Sequence, residues 1–277
     1  MHVAPPIILT IAGFDPSSGA GVTADIKTIA AHGCYGVSAI TALTVQSTAG
    51  VRRVVPVGVK LLGDTFGELL RDVKVSAVHV GMLGSGEVAS AVADVLENAA
   101  LKNVVLDPVL KSSSGAALLD CEGIGLLVQR LLPLAELITP NIDEAAALTG
   151  LEVRNPTQMK LAAGRLHEMG ARAVVVTGGH LDRAIDVLSV EGEHAQTYSA
   201  EREGSSNTHG TGCAFSTAIA CQLALGQSLP MAILLAKTYV LAAIRNSYTI
   251  GGGQGPVNHM YGIGERPREA QETNQEE

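Results

Sequence analysis

Short apolar runs rich in Val and Ile, none containing proline, alternate along this chain with longer segments rich in Ala and Leu. No other feature constrains the fold as strongly. Continuous apolar strands are buried on both faces, and strands alternating with helices imply a mostly parallel sheet covered on both sides. Strands are predicted at Ile7–Ala12, Val37–Leu43, Ala77–Met82, Val104–Leu106, Leu137–Thr139 and Ala173–Thr177. Helices are predicted at Ala20–Ala31, Leu61–Arg71, Gly86–Asn98, Asp143–Leu148, Gln158–Met169, Cys213–Leu225 and Met231–Asn246. No Pro/Ser-rich linker or internal repeat divides the sequence, so one α/β domain is expected over residues 1–264. In such sheets, ligands bind outside the carboxyl ends of the strands. The small and polar residues expected there are Gly13-Phe14-Asp15, Gln46, Gly84, Asp107, Asn141 and Gly178-Gly179-His180.

Composition narrows the partners. Hydrophobic residues make up 47% of the 277, enough for a substantial core, yet no apolar run is long enough to span a bilayer. The start, MHVAPPIILTIAG, lacks a basic n-region and runs into a Gly/Asp/Pro turn, which reads as a strand rather than a signal peptide. A soluble cytoplasmic protein without a membrane partner is expected. The formal net charge is −8, of which residues 265–277 contribute −3 through five Glu and two Arg. That tail has no apolar periodicity and is expected to be disordered. An acidic body without a basic cluster speaks against nucleic acid. An anionic substrate must therefore be held by backbone amides, a metal, or a few chosen side chains. The four cysteines, Cys34, Cys121, Cys213 and Cys221, form no CxxC pair and no zinc spacing, so free thiols are expected.

Three segments carry chemistry. In Asn207-Thr208-His209-Gly210-Thr211-Gly212-Cys213, two glycines precede an Ala-rich helix. Glycines let the backbone turn tightly, and the amides of a helix start make a site for an anion such as a transferring phosphoryl group. A cysteine in that first turn has its thiolate favoured by the helix dipole; the alternative for it is a small buried hydrophobe. In Pro140-Asn141-Ile142-Asp143-Glu144, Asn141 and Glu144 share one face and both suit magnesium or its waters. Helix capping explains the same pair, and on local grounds it is the stronger reading. Asp107, ending an apolar strand, offers a further carboxylate, although such a residue often caps a helix or turn. The third segment, from Ala12 to Gly21, does not match G-x-G-x-x-G, and no P-loop sequence occurs.

AGFDPSSGAGVTADIKT, TALTVQST, GML, LDPV, TPNIDEAAALTG, GGH, NTHGTGC and GPVNH follow in order from about Ile8 to about His259. Together they resemble the bifunctional hydroxymethylpyrimidine/phosphomethylpyrimidine kinases of thiamine biosynthesis, in the ribokinase-like superfamily. The GTGC motif is specific, since most ribokinase-like relatives have Gly-Ala-Gly-Asp there. The resemblance implies a three-layer sandwich with a central, mostly parallel sheet, commonly as a homodimer. It implies ATP as co-substrate and Mg2+. Gly13, Asp25, Gln46, Met82 and Val109 fall where the family surrounds the pyrimidine. Asp107, Asn141 and Glu144 match its magnesium–phosphate region, with Asp107 and Glu144 as the metal carboxylates and Asn141 beside the nucleotide. Gly210, Thr211 and Gly212 form the implied anion hole, and Cys213 faces the substrate hydroxymethyl as the catalytic residue.

Two positions depart from the family pattern. Thr177 stands where a Lys usually precedes Gly-Gly-His, and Ser113-Ser114-Gly115 stands where Lys-Ser-Gly is common. Lys111 is the cation nearest to the second gap and is expected to take over phosphate contact. Two other functions remain open on the sequence: pyridoxal kinase, and a pyrimidine-binding protein that has lost turnover.

Overall fold

The structure, a computed structural model, describes residues 3–179 and 183–263. The acidic tail and His180 lie outside the described residues. Nine strands form one sheet: β1 (Ile7–Phe14), β2 (Tyr35–Ser47), β3 (Gly50–Pro56), β4 (Val75–Val80), β5 (Val104–Leu106), β6 (Leu137–Ile138), β7 (Ala173–Gly178), β8 (Ala184–Val190) and β9 (Gln196–Ala200). Their order is β3-β2-β1-β4-β5-β6-β7-β8-β9. The central strands from β2 to β7 pair in parallel, while β3, β8 and β9 are added antiparallel at the two edges. The eight helices are α1 (Gly21–Ala31), α2 (Val59–Asp72), α3 (Gly86–Ala99), α4 (Cys121–Leu126), α5 (Ile142–Thr149), α6 (Pro156–Glu168), α7 (Thr211–Ala224) and α8 (Leu229–Arg245).

Side chains of a strand point alternately to its two faces, and the core divides accordingly. Leu9, Ile11, Val78, Val80, Val104, Leu106, Ile138, Val174 and Val176 join one apolar cluster with residues of α2, α3, α5 and α6. Their neighbours Ile8, Ala77, Val105, Leu137 and Val175 join the other, with residues of α1, α7 and α8. This is the ribokinase-like sandwich of helices, sheet and helices. No helix among the described residues is long and apolar enough to cross a membrane.

The predicted central strands and helices are all present, but β3, β8, β9 and α4 are not predicted from the sequence. Strand β2 is also longer than expected. Gln46 therefore does not follow a strand; it lies within β2, opposite Val51 of β3. Strand β4 ends at Val80, which puts Met82 in the loop beyond it.

Candidate active site

Every predicted site residue except Asp25 sits at or near the carboxyl edge of the sheet. Gly13 is the penultimate residue of β1, Met82 follows β4, Asp107 and Val109 follow β5, Asn141 and Glu144 open α5 after β6, and Thr177 is in β7. Gly13 and Met82 are in contact, since a Cβ added to Gly13 would lie 2.8 Å from the Met82 sulfur. Thr177 donates its amide to the Pro140 carbonyl at 2.9 Å, which ties β7 to the α5 entry. Lys111 is exposed on the loop after β5, bridged through its backbone to Ala117.

The α7 start is built by Gly210, whose φ of +83° is a left-handed conformation. A Cβ there would also approach the Gly19 carbonyl oxygen to 1.9 Å, so only glycine fits. No side chain caps this helix. The Thr211 amide donates to the Thr208 carbonyl and that of Ala214 to Gly210. The amides of Gly212 and Cys213 have no acceptor among the described residues. Gly212 adjoins Asp107, whose Oδ2 would lie 3.9 Å from a Cβ on that glycine.

The α5 start is closed by its own side chains. Asn141 Oδ1 accepts from the Glu144 amide and Glu144 Oε2 accepts from the Asn141 amide, both at 2.9 Å. The capping favoured on local grounds is thus present. It also fixes a carboxylate that is only 8% exposed. Burial, and then the charge of Asp107, push Glu144 up to about 8. Burial likewise lifts Asp107, 5% exposed, to about 6 against the lowering influence of His79 and Ser216. Two crowded carboxylates of this kind favour a cation beside them. Among the described residues no group of three or more His, Cys, Asp or Glu could hold a metal alone. The donor set nevertheless fits Mg2+, which typically takes one or two carboxylates and completes its shell with water and substrate phosphates.

The expectation for the Cys213 thiol needs correction. The helix start was expected to lower its pKa. Cys213 keeps part of its surface open, yet desolvation and the carboxylates of Asp107, Asp25 and Glu144 push the thiol well above its ordinary range. Charges brought in from other elements outweigh the local dipole.

Asp25 stands apart from the rim. It is fully buried in α1, with Oδ2 accepting from Thr10 at 2.6 Å and Oδ1 from Thr217 at 3.0 Å. His209 was not singled out from the sequence, although it belongs to the NTHGTGC motif. Its Nε2 lies 3.1 Å from Asp15 Oδ2 and 3.4 Å from the Gln46 amide nitrogen, and its Nδ1 lies 3.5 Å from Ser113 Oγ. Burial is outweighed at Asp15 by the hydrogen bonds from His209 and Ser17, which lower its pKa, so Asp15 accepts and Nε2 carries the proton. The Gln46 amide is then better placed with its oxygen toward His209 and its nitrogen toward Thr44 Oγ1, which already donates to the Phe14 carbonyl. A cavity of about 180 Å3 opens here, lined by Gln46, Gly50, Ser113, His209 and Gln254 among others. A larger one, about 250 Å3, lies around Asn103, Glu136 and Arg172 at the opposite edge, and none of the open amides or paired carboxylates reaches it.

The chain resembles known proteins over nearly its whole length. The family described as Phosphomethylpyrimidine kinase matches residues 15–258. The chain is 41% identical to the hydroxymethylpyrimidine/phosphomethylpyrimidine kinase of Streptomyces coelicolor, over 95% of this chain and 97% of that protein. It is 44% identical to the Thiamine biosynthesis bifunctional protein ThiED of Geobacter sulfurreducens, over 91% of this chain, and spans about half (52%) of that longer protein. Among solved structures, the ADP complex of Bacillus subtilis pyridoxal kinase superposes with a TM-score of 0.85 at 35% identity, covering 92% of this chain and 98% of that one. Clostridium difficile phosphomethylpyrimidine kinase superposes with a TM-score of 0.77 at 38% identity, covering 86% and 99%.

Proposed function

Since the chain belongs to the phosphomethylpyrimidine kinase family, we propose that it uses ATP to phosphorylate 4-amino-5-hydroxymethyl-2-methylpyrimidine and then the resulting monophosphate. The pyrophosphate so formed serves thiamine biosynthesis. The observation that carries this reading is the helix start where the Gly212 and Cys213 amides have no acceptor among the described residues and Gly212 adjoins Asp107. Phosphoryl transfer asks a protein chiefly for positioning and for charge stabilisation. Amides fixed in advance supply both without reorganising.

In this reading the turn of Gly210, Thr211 and Gly212 sets the open amides of Gly212 and Cys213 around the phosphoryl group, and Asp107 and Glu144 hold Mg2+. That ion would offset the charge of the triphosphate and of the two carboxylates. Asn141 and Thr177 border the nucleotide phosphates, and Lys111 supplies a mobile cation in place of the lysines usual at Thr177 and Ser113. Gly13, Gln46, Met82 and Val109 bound the pyrimidine. Gln46 is the natural partner for its ring nitrogen and exocyclic amine, while Asp25 supports that wall from behind. Cys213 faces the hydroxymethyl and accepts its proton in the first transfer. The acceptor of the second transfer is already an anion and needs no base. A homodimer completes the proposal, with Leu43, Val45 and Val55, each about half exposed on the outer hairpin, as its apolar face.

A second acceptor is favoured by a specific observation. Structures of pyridoxal kinases superpose on nearly the whole chain, the Staphylococcus aureus complex with AMP-PCP and pyridoxal at a TM-score of 0.84. ADP formation measured with the pyrimidine, with pyridoxal and without acceptor separates the readings. The proposal expects the pyrimidine to give the highest kcat/KM. A higher value with pyridoxal would replace it, and acceptor-independent background alone would leave a binding protein.

A further inference from the structure

Beneath the anion cradle, a chain of buried polar groups crosses from α1 to the end of β5. Asp25 Oδ2 lies 3.3 Å from His79 Nδ1, His79 Nε2 lies 2.9 Å from Ser216 Oγ, and Ser216 Oγ lies 3.1 Å from Asp107 Oδ2. Asp25, His79 and Ser216 are each 0% exposed, so no water competes for these contacts. From these positions we infer that His79 is a positioning residue for phosphoryl transfer: a buried imidazolium, donating from both ring nitrogens, that fixes the Ser216 hydroxyl on Asp107.

Counting protons gives the argument. Thr10 has one hydroxyl proton and donates it to Asp25 at 2.6 Å, so it has none for His79 Nδ1 at 3.4 Å. If Nδ1 carried a lone pair, that lone pair would face the Asp25 carboxylate across 3.3 Å with no proton between them. Nδ1 therefore carries a proton. If Nε2 carried the lone pair, Ser216 would donate to it and leave Asp107 Oδ2 without that donor. With Nε2 protonated, Ser216 accepts from His79 and its own proton is free to turn. It can reach the carbonyls of Gly212 at 3.0 Å and Cys213 at 3.2 Å as well as Asp107. An ionised acceptor makes the stronger bond, so the proton goes to Asp107. With Asp107 ionised, only the doubly protonated ring satisfies all three contacts.

The groups facing the ring are Asp25 from α1, Thr10 from β1, Ser216 from α7 and Asp107 beyond β5. Burial alone would lower the imidazole, but the two carboxylates outweigh it and the net direction is upward. The consequence reaches the site because Ser216 lies one turn after Gly212, in the helix whose start forms the cradle. His79 thus locks the register between the α7 amides and Asp107.

The inference rests on the proposed function for its kinetic consequence, but its protonation state is measured without turnover. In the full chain labelled with 15N-histidine, long-range 1H–15N spectra at pH 7.5 should show one histidine with both ring nitrogens protonated. That signal should be missing from His79→Gln. A His79 ring seen as a single neutral tautomer would overturn the inference. Ser216→Ala, a small change, should lower kcat about tenfold or more while both KM values stay within about twofold. His79→Gln should match it, and the double variant should be no worse than the poorer single one. Equal kcat in Ser216→Ala and parent would also overturn the inference. A parent protein that transfers no phosphate would instead count against the proposed function, and the spectra would still decide the state of His79.

Discussion

Two helices begin beside Asp107, and they begin in opposite ways. Helix α5 closes its own start with the reciprocal Asn141–Glu144 capping box. Helix α7 starts on a left-handed glycine with no side-chain cap, and two of its amides have no acceptor among the described residues. A closed start presents a carboxylate to its surroundings, whereas an open start presents N–H donors. The first suits a cation and the second an anion. Side by side, they carry the proposed site for a metal–phosphate complex in a chain with a formal net charge of −8. Capping does not conflict with the proposed ligand role: Glu144 caps with one oxygen and remains a buried acid pushed up to about 8.

Breaking the open start should give the largest effect. Cys213→Ala is expected to slow phosphorylation of the alcohol by about 10²–10⁴, the usual contribution of a general base, and to affect phosphorylation of the monophosphate less. The raised thiol adds a pH signature. Burial and the neighbouring carboxylates raise the thiol above its ordinary range, so the alcohol rate should climb with pH through the alkaline range in the parent. The monophosphate rate should not, and the climb should disappear in the variant. Unchanged alcohol kinetics would reduce Cys213 to packing.

Neither helix start reads the acceptor ring, and Gln46→Leu sharpens that boundary. Unpaired polar groups on the pyrimidine cost about 1–3 kcal/mol, which is roughly 5- to 150-fold in acceptor KM with the ATP KM unchanged. A variant with the parent's acceptor KM would take Gln46 out of the pocket.

Disturbing the closed start should give a smaller, conditional effect. Glu144→Gln keeps an N3 side chain able to cap and removes the charge. Because the folded pKa of Glu144 is raised, from 4.5 to about 8, the stability its neutral form contributes is full below about pH 4.5 and is lost as pH rises toward 8. Melting temperatures of the metal-free parent should therefore fall over that window, and fall less in the variant. The variant should also need more Mg2+ for half-maximal rate. The same Mg2+ dependence in both proteins would leave Glu144 as a cap alone.

The smallest effect is expected at Lys111, exposed on its loop. Lys111→Met should raise the ATP KM by only about two- to fivefold, in line with a solvated ion pair. An ATP KM equal to the parent's would show that the missing lysines have no substitute there.

The central strands and most helices were legible because burial on both faces leaves an unbroken apolar run. The edges were not. Strand β3 holds Arg52 and Arg53 and ends on Pro56, and β9 is largely exposed. Strand β8 carries Asp186, whose partner Lys237 lies 51 residues away in α8, 2.5 Å from it. The site divides in the same manner. Local signals exposed Asp107, Asn141, Glu144 and the GTGC turn. Long-range pairings hid His79, Ser216 and the reach of His209, because nothing near them in sequence announces their partners. The direction of the Cys213 shift failed for that reason: the dipole is local, but Asp107, Asp25 and Glu144 come from three other elements.

The central claim is that one amide cradle serves two successive transfers. It is tested most directly by following 4-amino-5-hydroxymethyl-2-methylpyrimidine with excess ATP and Mg2+ by 31P NMR. The account predicts a phosphomonoester resonance that rises first and then gives way to the paired resonances of a pyrophosphate ester, with two ADP formed per pyrimidine. ATP left intact, or a reaction that stops at the monoester with one ADP, would contradict it.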